Sequence, residues 1–226
     1  MQLLFGEPEP RTGPLRVLGI STGSPGASLS CRLLDIALEQ AREEGAETRR
    51  RCLGELDVPG CPKNGSCVWP CTQVVIRDDD PLTSIYIDLL HWSDVVLIAG
   101  EAGRTSLDER FSNLLARLRA LRVPLDTEGR LLIRNQVAAL LPVGDWEVDG
   151  APIAEALAKL GTLGFALPAF PVAGYQSGCL LPPRDKLEEV LRLHPEIEAR
   201  ARGLASRAIA FAQRIRPTRQ RTAAIA

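Results

Sequence analysis

The sequence is poor in the residue types that mark several common functional sites. Its 226 residues include two His, one Met, five Phe, two Tyr and three Trp. Because the two histidines, His91 and His194, lie far apart in the chain, we expect neither a Ser-His-Asp triad nor a histidine-rich metal site. Positive charge is not in excess, since 27 Lys and Arg face 28 Asp and Glu. Affinity for nucleic acids comes mainly from clustered positive charge, so no nucleic-acid partner is expected.

Long hydrophobic runs are also missing. The longest, such as residues 94–100, are far shorter than the roughly 20 apolar residues of a membrane-spanning helix. The first residues, MQLLFGEP, have no basic start and too short an apolar stretch for a secretory signal. We therefore expect no membrane association and a cytoplasmic location. With 45% hydrophobic and 24% charged residues, the composition is that of a folded domain with a core.

Hydrophobic periodicity predicts strands that alternate with helices. Strands are predicted at residues 15–21, 47–53, 95–99, 136–143 and 165–172. Helices are predicted at residues 33–44, 81–92, 107–121, 153–163 and 184–215, the last with a break at Pro195. This alternation indicates an α/β fold with a doubly wound five-stranded parallel sheet and helices on both faces.

The predicted elements belong to one domain with three additions. Residues 15–215 hold the predicted strands and helices, and residues 54–80 interrupt them with a segment that contains cysteines. The Pro- and Gly-rich residues 1–14 predict an extended N-terminal arm. Residues 216–226 predict a basic C-terminal tail.

The loop after the first strand has the composition of a phosphate-binding turn. Ligands of doubly wound sheets bind beyond the carboxyl ends of the strands, which places this loop at the expected site. It reads Ser21-Thr-Gly-Ser-Pro-Gly-Ala-Ser-Leu-Ser30 and precedes a helix, whose N-terminal N–H groups attract phosphate. It lacks the Lys that a P-loop contains, and it has no Gly-x-Gly-x-x-Gly motif. Alternatively, the serines only cap the helix, a function that needs one of them.

This loop and three later segments resemble the NADPH-dependent FMN reductase-like flavoproteins, a flavodoxin-fold family that includes the iron–sulfur flavoproteins. The four segments lie within residues 15–175 and read Gly19-Ile-Ser-Thr-Gly-Ser-Pro25, Leu56-Asp-Val-Pro-Gly-Cys61, Val75-Ile-Arg-Asp-Asp79 and Ser93-Asp-Val-Val-Leu-Ile-Ala99. The resemblance implies the strand order 2-1-3-4-5, bound FMN, and NAD(P)H as an electron donor. It also implies a small-molecule or redox-protein electron acceptor and assembly into a homodimer or homotetramer.

Carried over onto this sequence, the family pattern implies two groups of cofactor-binding residues. The FMN phosphate would be bound by Ser21, Ser24, Ser28 and Ser30, with Thr22 and Gly23 assisting. The flavin ring would be flanked after the third strand by Glu101, Ala102, Gly103 and Arg104, and after the fourth by Gly144, Asp145 and Trp146. The aromatic residues that the family has after the third strand are absent from this loop.

Three of these residues each admit two interpretations. Arg104 would stabilise and Glu101 would destabilise an anionic reduced flavin, or the two pair with each other or with water in an exposed turn. Trp146 covers an aromatic ligand, or it packs on the edge of the sheet, as large aromatic residues at strand ends often do.

Half of the six cysteines lie close together, at Cys61, Cys67 and Cys71. The resemblance implies a four-iron cluster here, although Asn64 and Val74 stand where the family has its second and fourth cysteines. Three interpretations remain open, namely an altered iron–sulfur or zinc site on these thiolates, a redox-active thiol pair among them, and a rigid loop with buried thiols. The remaining cysteines are expected to be small buried hydrophobic residues, and they are Cys31, Cys52 and Cys179.

The sequence thus predicts an FMN-dependent NAD(P)H oxidoreductase that passes electrons to a flavin, a quinone or another acceptor. Hydride chemistry belongs to the flavin, so no catalytic acid or base is expected from the chain itself. One alternative is a non-catalytic flavodoxin-fold binding or subunit protein that has lost the ring pocket. The other is an electron carrier of the iron–sulfur flavoprotein type.

Overall fold

The computed structural model describes residues 13–23, 28–61, 80–122, 129, 131–147, 150–176 and 186–216. Within them the strands are β1 (Arg16–Ser21), β2 (Glu47–Cys52), β3 (Val95–Glu101), β4 (Val137–Gly144) and β5 (Tyr175–Gln176). They form one sheet in the order β2-β1-β3-β4-β5, and each neighbouring pair is parallel. This order confirms the predicted doubly wound sheet.

The helices cover both faces of the sheet. They are α1 (Leu29–Glu43), α2 (Thr83–Ile87), α3 (Glu109–Leu118), α4 (Ala151–Leu163), α5 (Leu187–Leu193) and α6 (Pro195–Ile215). Helix α2 continues as a π-helical segment, Asp88–Trp92, and short 3-10 turns occupy Leu53–Glu55 and Arg119–Arg122. Helices α1, α5 and α6 pack on one face, and α2, α3 and α4 pack on the other. In the described part of the chain, no helix has the length and apolar character needed to cross a membrane.

The strands present alternate residues to two separate hydrophobic cores. In β1, Val17 faces α1 and α6, whereas Leu18 and Ile20 face the opposite helical layer. Since both sheet faces are covered, β3 and β4 are nearly continuous apolar runs, which is why the sequence predicted them clearly. The same alternation directs consecutive residues at the end of β1 to opposite faces of the sheet.

The edge strand β2 carries three consecutive arginines that bind acidic residues of the two helical layers. Asp88 is 1% exposed and accepts hydrogen bonds from Arg49 Nη1 at 2.6 Å and Arg51 Nε at 2.8 Å. On the other face, Arg50 Nε lies 3.2 Å from Asp35 Oδ1 of α1. Two guanidinium groups thus compensate a buried carboxylate and attach the edge strand to the segment after α2.

The fifth strand differs from the prediction. It is the short Tyr175–Gln176, which pairs with the end of β4, rather than residues 165–172. Within residues 165–172, Ala166 and Val172 each form an isolated bridge to β4. Six positions separate these two residues, but only three separate their partners, so the intervening chain loops out. The two prolines between them have no N–H to donate to a neighbouring strand, which explains why a continuous ladder does not form.

Pro81 and Pro195 lie near predicted helix ends. Helix α5 ends at Leu193 and α6 begins at Pro195, which confirms the predicted break. Helix α2 begins at Thr83, slightly later than predicted, and Asp80 Oδ1 accepts the Leu82 N–H at 2.9 Å to cap the preceding turn.

Of the predicted arm and tail, only residues 13, 14 and 216 lie within the described chain.

Candidate functional site

Three loops meet at the carboxyl edge of the sheet, where the sequence predicts the site. We call them the β1 loop (its described residues 22, 23 and 28), the β3 hairpin (residues 101–108) and the β4 turn (residues 144–147). The Thr22 N–H donates to the Ala99 carbonyl at 2.9 Å, and the Ala102 N–H donates to the Val143 carbonyl at 3.0 Å. The sheet hydrogen bonding therefore continues into the loops and holds their first residues side by side.

The first two hydroxyl residues after β1 point to opposite faces of the sheet. Ser21 is fully buried, and its Oγ lies 2.8 Å from the Cys31 Sγ of α1. Thr22 is 1% exposed, and its hydroxyl donates to Asp108 Oδ2 at 2.6 Å on the α3 side. Both hydroxyls thus help to order the β1 loop from within the protein, and their predicted contact with a phosphate stays a prediction.

Gly23, Ser28 and Ser30 form a compact cradle at the N-terminus of α1. Ser28 caps the helix, since its Oγ accepts the Cys31 N–H at 3.2 Å and lies 3.0 Å from Ser30 Oγ. A Cβ on Gly23 would lie 2.2 Å from Ser28 Oγ and 2.8 Å from Ser30 Oγ, so a side chain here would displace both hydroxyls. The first N–H groups of a helix have no acceptor within the helix, and the Ser28 side chain satisfies one of them, that of Cys31. Predicted ligand Ser24 lies outside the described residues.

Two cysteines contribute to this loop in a way that the sequence did not predict. Cys31 is 2% exposed, as expected of a small buried residue, but its thiol contacts the Ser21 hydroxyl. Cys52 is half-buried, and its thiol donates to the Gly23 carbonyl at 3.2 Å. The expectation that Cys52 is a small buried hydrophobic residue is therefore wrong. The parallel pairing of Ser21 with Cys52 at the ends of β1 and β2 brings the thiol to the loop.

The chain after β3 folds back as an ordered hairpin. The Asp108 N–H donates to the Glu101 carbonyl at 3.0 Å, and the Gly103 N–H donates to the Ser106 carbonyl at 2.8 Å. Ala102 and Leu107 pair between these two bonds. The hairpin brings the predicted ring-flanking residues after β3 to the edge of the sheet, with Arg104 at the tip.

The tip of the β3 hairpin is joined to the β4 turn by an ion pair. Arg104 Nε lies 2.8 Å from Asp145 Oδ2, so the guanidinium binds the β4 turn. The structure thus brings together two residues that the sequence predicts on either side of the flavin ring. Because both side chains are partly exposed, this pair contributes little to stability, about 0–1 kcal/mol.

Gly144 and Trp146 bring the β4 turn into close contact with its neighbours. Gly144 has φ = 133°, and a Cβ there would lie 2.5 Å from the Ala102 carbonyl oxygen. Trp146 is 5% exposed, and its indole N–H donates to the Tyr175 carbonyl at 3.0 Å. Of the two interpretations of Trp146, this geometry is that of packing on the edge of the sheet.

Asp108 is a further residue at this site that the sequence did not indicate. It caps α3 by accepting the Phe111 N–H at 2.9 Å with Oδ1. Its Oδ2 accepts the Thr22 hydroxyl at 2.6 Å and the Glu101 N–H at 3.1 Å. A carboxylate just before a helix is a recognisable capping signal, but the contact with Thr22, 86 positions away, depends on the tertiary fold.

A cavity of about 590 Å³ lies on the α3 side of the β1 loop. It is lined by the loop after β2 and the first turns of α3, namely Gly54, Glu55, Leu56, Asp57, Val58, Asp108, Glu109, Arg110 and Asn113. Four of these side chains are carboxylates and one is a guanidinium. Because like charges repel, this lining disfavours a phosphate, which separates the cavity from the predicted phosphate cradle.

The predicted metal ligands lie mostly outside the described chain. Cys61 is half-buried, whereas Cys67 and Cys71 fall among the residues that are not described. Among the residues that the structure does describe, no group of three or more His, Cys, Asp and Glu side chains is placed to hold a metal ion. The cysteine-bearing segment borders α3 at both ends, since Asn113 Nδ2 donates to the Val58 carbonyl at 3.1 Å and Arg117 pairs with Asp80.

Comparison with known proteins gives structural similarity without sequence similarity. No family model matches the chain, and no curated protein sequence matches it significantly. The structure of RosB with the bound intermediate 8-demethyl-8-formylriboflavin-5′-phosphate superposes with a TM-score of 0.70. The match has 20% sequence identity and covers 89% of this chain and 80% of RosB.

Two further structures share the same architecture. An oxidoreductase from Corynebacterium diphtheriae matches with a TM-score of 0.55 and 12% identity over 90% of this chain and 99% of its own. A flavone reductase matches with a TM-score of 0.54 and 18% identity over 89% of this chain, which spans 64% of that protein. The strand order and these similarities together establish that the chain has the flavodoxin-like fold.

Proposed function

We propose that this protein binds FMN at the carboxyl edge of its sheet and acts as a flavin-dependent oxidoreductase. The observation that carries the proposal is the cradle of Gly23, Ser28 and Ser30 at the N-terminus of α1, because a side chain on Gly23 would fill it. Similarity to a structure that contains a riboflavin-5′-phosphate derivative supports the same assignment.

The cradle suits the phosphate of FMN in its charge and in its hydrogen-bond donors. Helix N-terminal N–H groups carry partial positive charge and point at the bound anion, and the hydroxyls of Ser28 and Ser30 add donors. Ser28 accepts the capping bond through its oxygen, and the hydrogen bond between the Ser28 and Ser30 hydroxyls uses one proton, so this pair keeps one hydroxyl proton to donate. The chain would therefore bind the phosphate through backbone and hydroxyl donors rather than through a lysine.

The β3 hairpin and the β4 turn would flank the ring. Both loops present backbone groups at the edge of the sheet, and Arg104 at the hairpin tip supplies a positive charge that Asp145 orients. The Asp145 carboxylate compensates this charge, so the pair adds no net charge beside a neighbouring flavin. When bound, FMN supplies the exchange of hydride or of single electrons. In this proposal NAD(P)H is the electron donor and a small molecule or redox protein is the acceptor, with a homodimer or homotetramer as the assembly.

One observation favours an alternative function, that of a non-catalytic flavodoxin-fold protein without a ring pocket. The β3 hairpin and the β4 turn together contain a single aromatic residue, Trp146. It is 5% exposed, and its indole N–H donates to the Tyr175 carbonyl. It therefore offers little surface for stacking on a flavin ring. Such a protein would be colourless as purified and would not bind added FMN.

The proposal is tested by titrating the purified full-length protein with FMN and following the quenching of flavin fluorescence. Saturable binding, followed by loss of the yellow absorbance when NADH or NADPH is added without oxygen, is the expected result. A colourless protein that leaves FMN fluorescence unchanged contradicts the proposal and supports the non-catalytic alternative.

A matched pair of glycine substitutions tests the location of the cofactor. Gly23→Ala places a Cβ 2.2 Å from Ser28 Oγ, and overpacking of this kind costs about 1–3 kcal/mol. We expect FMN affinity to fall roughly tenfold or more, which corresponds to about 1.4 kcal/mol. Gly161→Ala, in α4 with no atom within 4 Å of its Cβ, is the control and should leave FMN affinity unchanged. Equal affinities in both variants would place the phosphate elsewhere.

A further inference from the structure

The carboxylate of Asp108 joins three elements that approach the edge of the sheet separately. Its Oδ2 accepts from the Thr22 hydroxyl of the β1 loop at 2.6 Å and from the Glu101 N–H of the β3 hairpin at 3.1 Å. Its Oδ1 accepts from the Phe111 N–H of α3 at 2.9 Å. Capping α3 requires only the last of these bonds, so the other two call for a separate explanation.

The surroundings leave room for the Thr22–Asp108 hydrogen bond. A Cβ on Gly100 would lie 2.4 Å from Thr22 Oγ1 and 3.2 Å from Asp108 Oδ2, so glycine at this position keeps the space open. Thr22 is 1% exposed, and its N–H is held by the Ala99 carbonyl. A short hydrogen bond to a carboxylate is among the stronger protein hydrogen bonds, and here the donor is buried and the acceptor half-buried.

We propose that Asp108 is a positioning residue that holds the β1 loop and the β3 hairpin in one fixed arrangement, so that the phosphate and the ring of one flavin fit at the same time. The inference rests on the proposed function, because it assigns the phosphate to the first loop and the ring to the second. The ribityl chain of FMN has a limited length, so its phosphate and its ring can bind together only where the two loops lie within the reach of that chain. Two loops already held in place lose less conformational freedom when such a ligand binds, and this raises its affinity.

The proposal predicts a selective effect on FMN over riboflavin, which has the same ring but no phosphate. Riboflavin contacts only the ring loops, so its affinity should depend little on the Thr22–Asp108 bond. Loss of that bond should lower the ratio of FMN affinity to riboflavin affinity about tenfold, equivalent to about 1.4 kcal/mol. A purely structural role would instead lower the melting temperature and change both affinities equally.

The variants are chosen to separate the bond from the helix cap and from direct phosphate contact. Thr22→Val removes the hydroxyl with nearly the same shape, and Thr22→Ser keeps it. Asp108→Ser keeps an oxygen that can cap α3 but loses the second oxygen, which accepts from both the Thr22 hydroxyl and the Glu101 N–H. The double variant Thr22→Val with Asp108→Ser completes a cycle that measures the coupling between the two side chains.

Dissociation constants for FMN and riboflavin are measured on the five full-length proteins by fluorescence quenching, with circular dichroism to confirm folding. The expected result is a lower ratio in both Thr22→Val and Asp108→Ser, no further loss in the double variant, and wild-type behaviour in Thr22→Ser. A fully additive double variant, or an effect of Thr22→Val without one of Asp108→Ser, would overturn the inference while leaving the proposed function intact. Absence of FMN binding by the wild-type protein would overturn both.

Discussion

Ser28→Asp is the sharpest test of where a phosphate binds. Asp is as good an N-cap as Ser, so the variant should keep the bond to the Cys31 N–H and the stability of α1. It also places a negative charge in the cradle, where residue 28 lies 3.0 Å from Ser30 Oγ. Two unit charges about 4 Å apart repel by about 1 kcal/mol in water and about 4 kcal/mol near a protein surface.

We therefore expect Ser28→Asp to weaken FMN binding by about 1.4 kcal/mol or more, a factor of roughly ten at least. Riboflavin binding should change much less, because riboflavin carries no phosphate. The loss should shrink as salt is added, since salt screens partly exposed charges.

The matched control is Ser28→Asn, which has nearly the same shape and capping ability as Asp but no charge. The measurement is fluorescence quenching of FMN and of riboflavin by the three proteins at low and high salt. If Ser28→Asp and Ser28→Asn bind FMN equally well, the assignment of the phosphate to the N-terminus of α1 is refuted.

Two further predictions concern stability. Asp88→Asn should lower the free energy of unfolding by about 1.5–3 kcal/mol, because hydrogen bonds to charged groups contribute about that much. Asp35→Asn, which removes the partly exposed α1 partner of Arg50 on the same strand β2, should cost less than about 1 kcal/mol. Urea denaturation measures both, and equal losses would contradict the assigned role of the buried carboxylate. Gly144→Ala should destabilise the protein by about 1–3 kcal/mol, because its positive φ and the approach to the Ala102 carbonyl are unsuited to a side chain. Thermal unfolding, with Gly161→Ala as the control, checks this, and an unchanged melting temperature would show that the β4 turn adapts.

The sequence predicted the central elements of the fold because their signals are local. β3 and β4 are uninterrupted apolar runs, and the break between α5 and α6 follows from the geometry of Pro195. It misplaced β5 because residues 165–172 have the composition of a strand, while their prolines prevent a continuous ladder with β4. Composition reports on burial, but pairing depends on which backbone groups have a partner.

The candidate site shows the same division. The hydroxyl-rich composition of the β1 loop and its place before a helix could be recognised from the sequence alone. The partners of its side chains could not, because Cys31, Cys52 and Asp108 reach the loop from three different elements. Likewise, Arg104 has Asp145 of the next loop as its partner, which is a consequence of the neighbouring positions of β3 and β4.

By itself, the sequence determined the alternation of strands and helices, the position of the breaks, and a small, hydroxyl-rich turn at a helix N-terminus. These depend on hydrophobic period, on proline geometry and on residue size, which act over a few neighbouring residues. Only the tertiary structure decided that Thr22 and Asp108 share a hydrogen bond and that Trp146 is buried at the sheet edge. Those contacts join residues far apart in the chain, and they exist because parallel strands bring the ends of β1, β3 and β4 to the same edge.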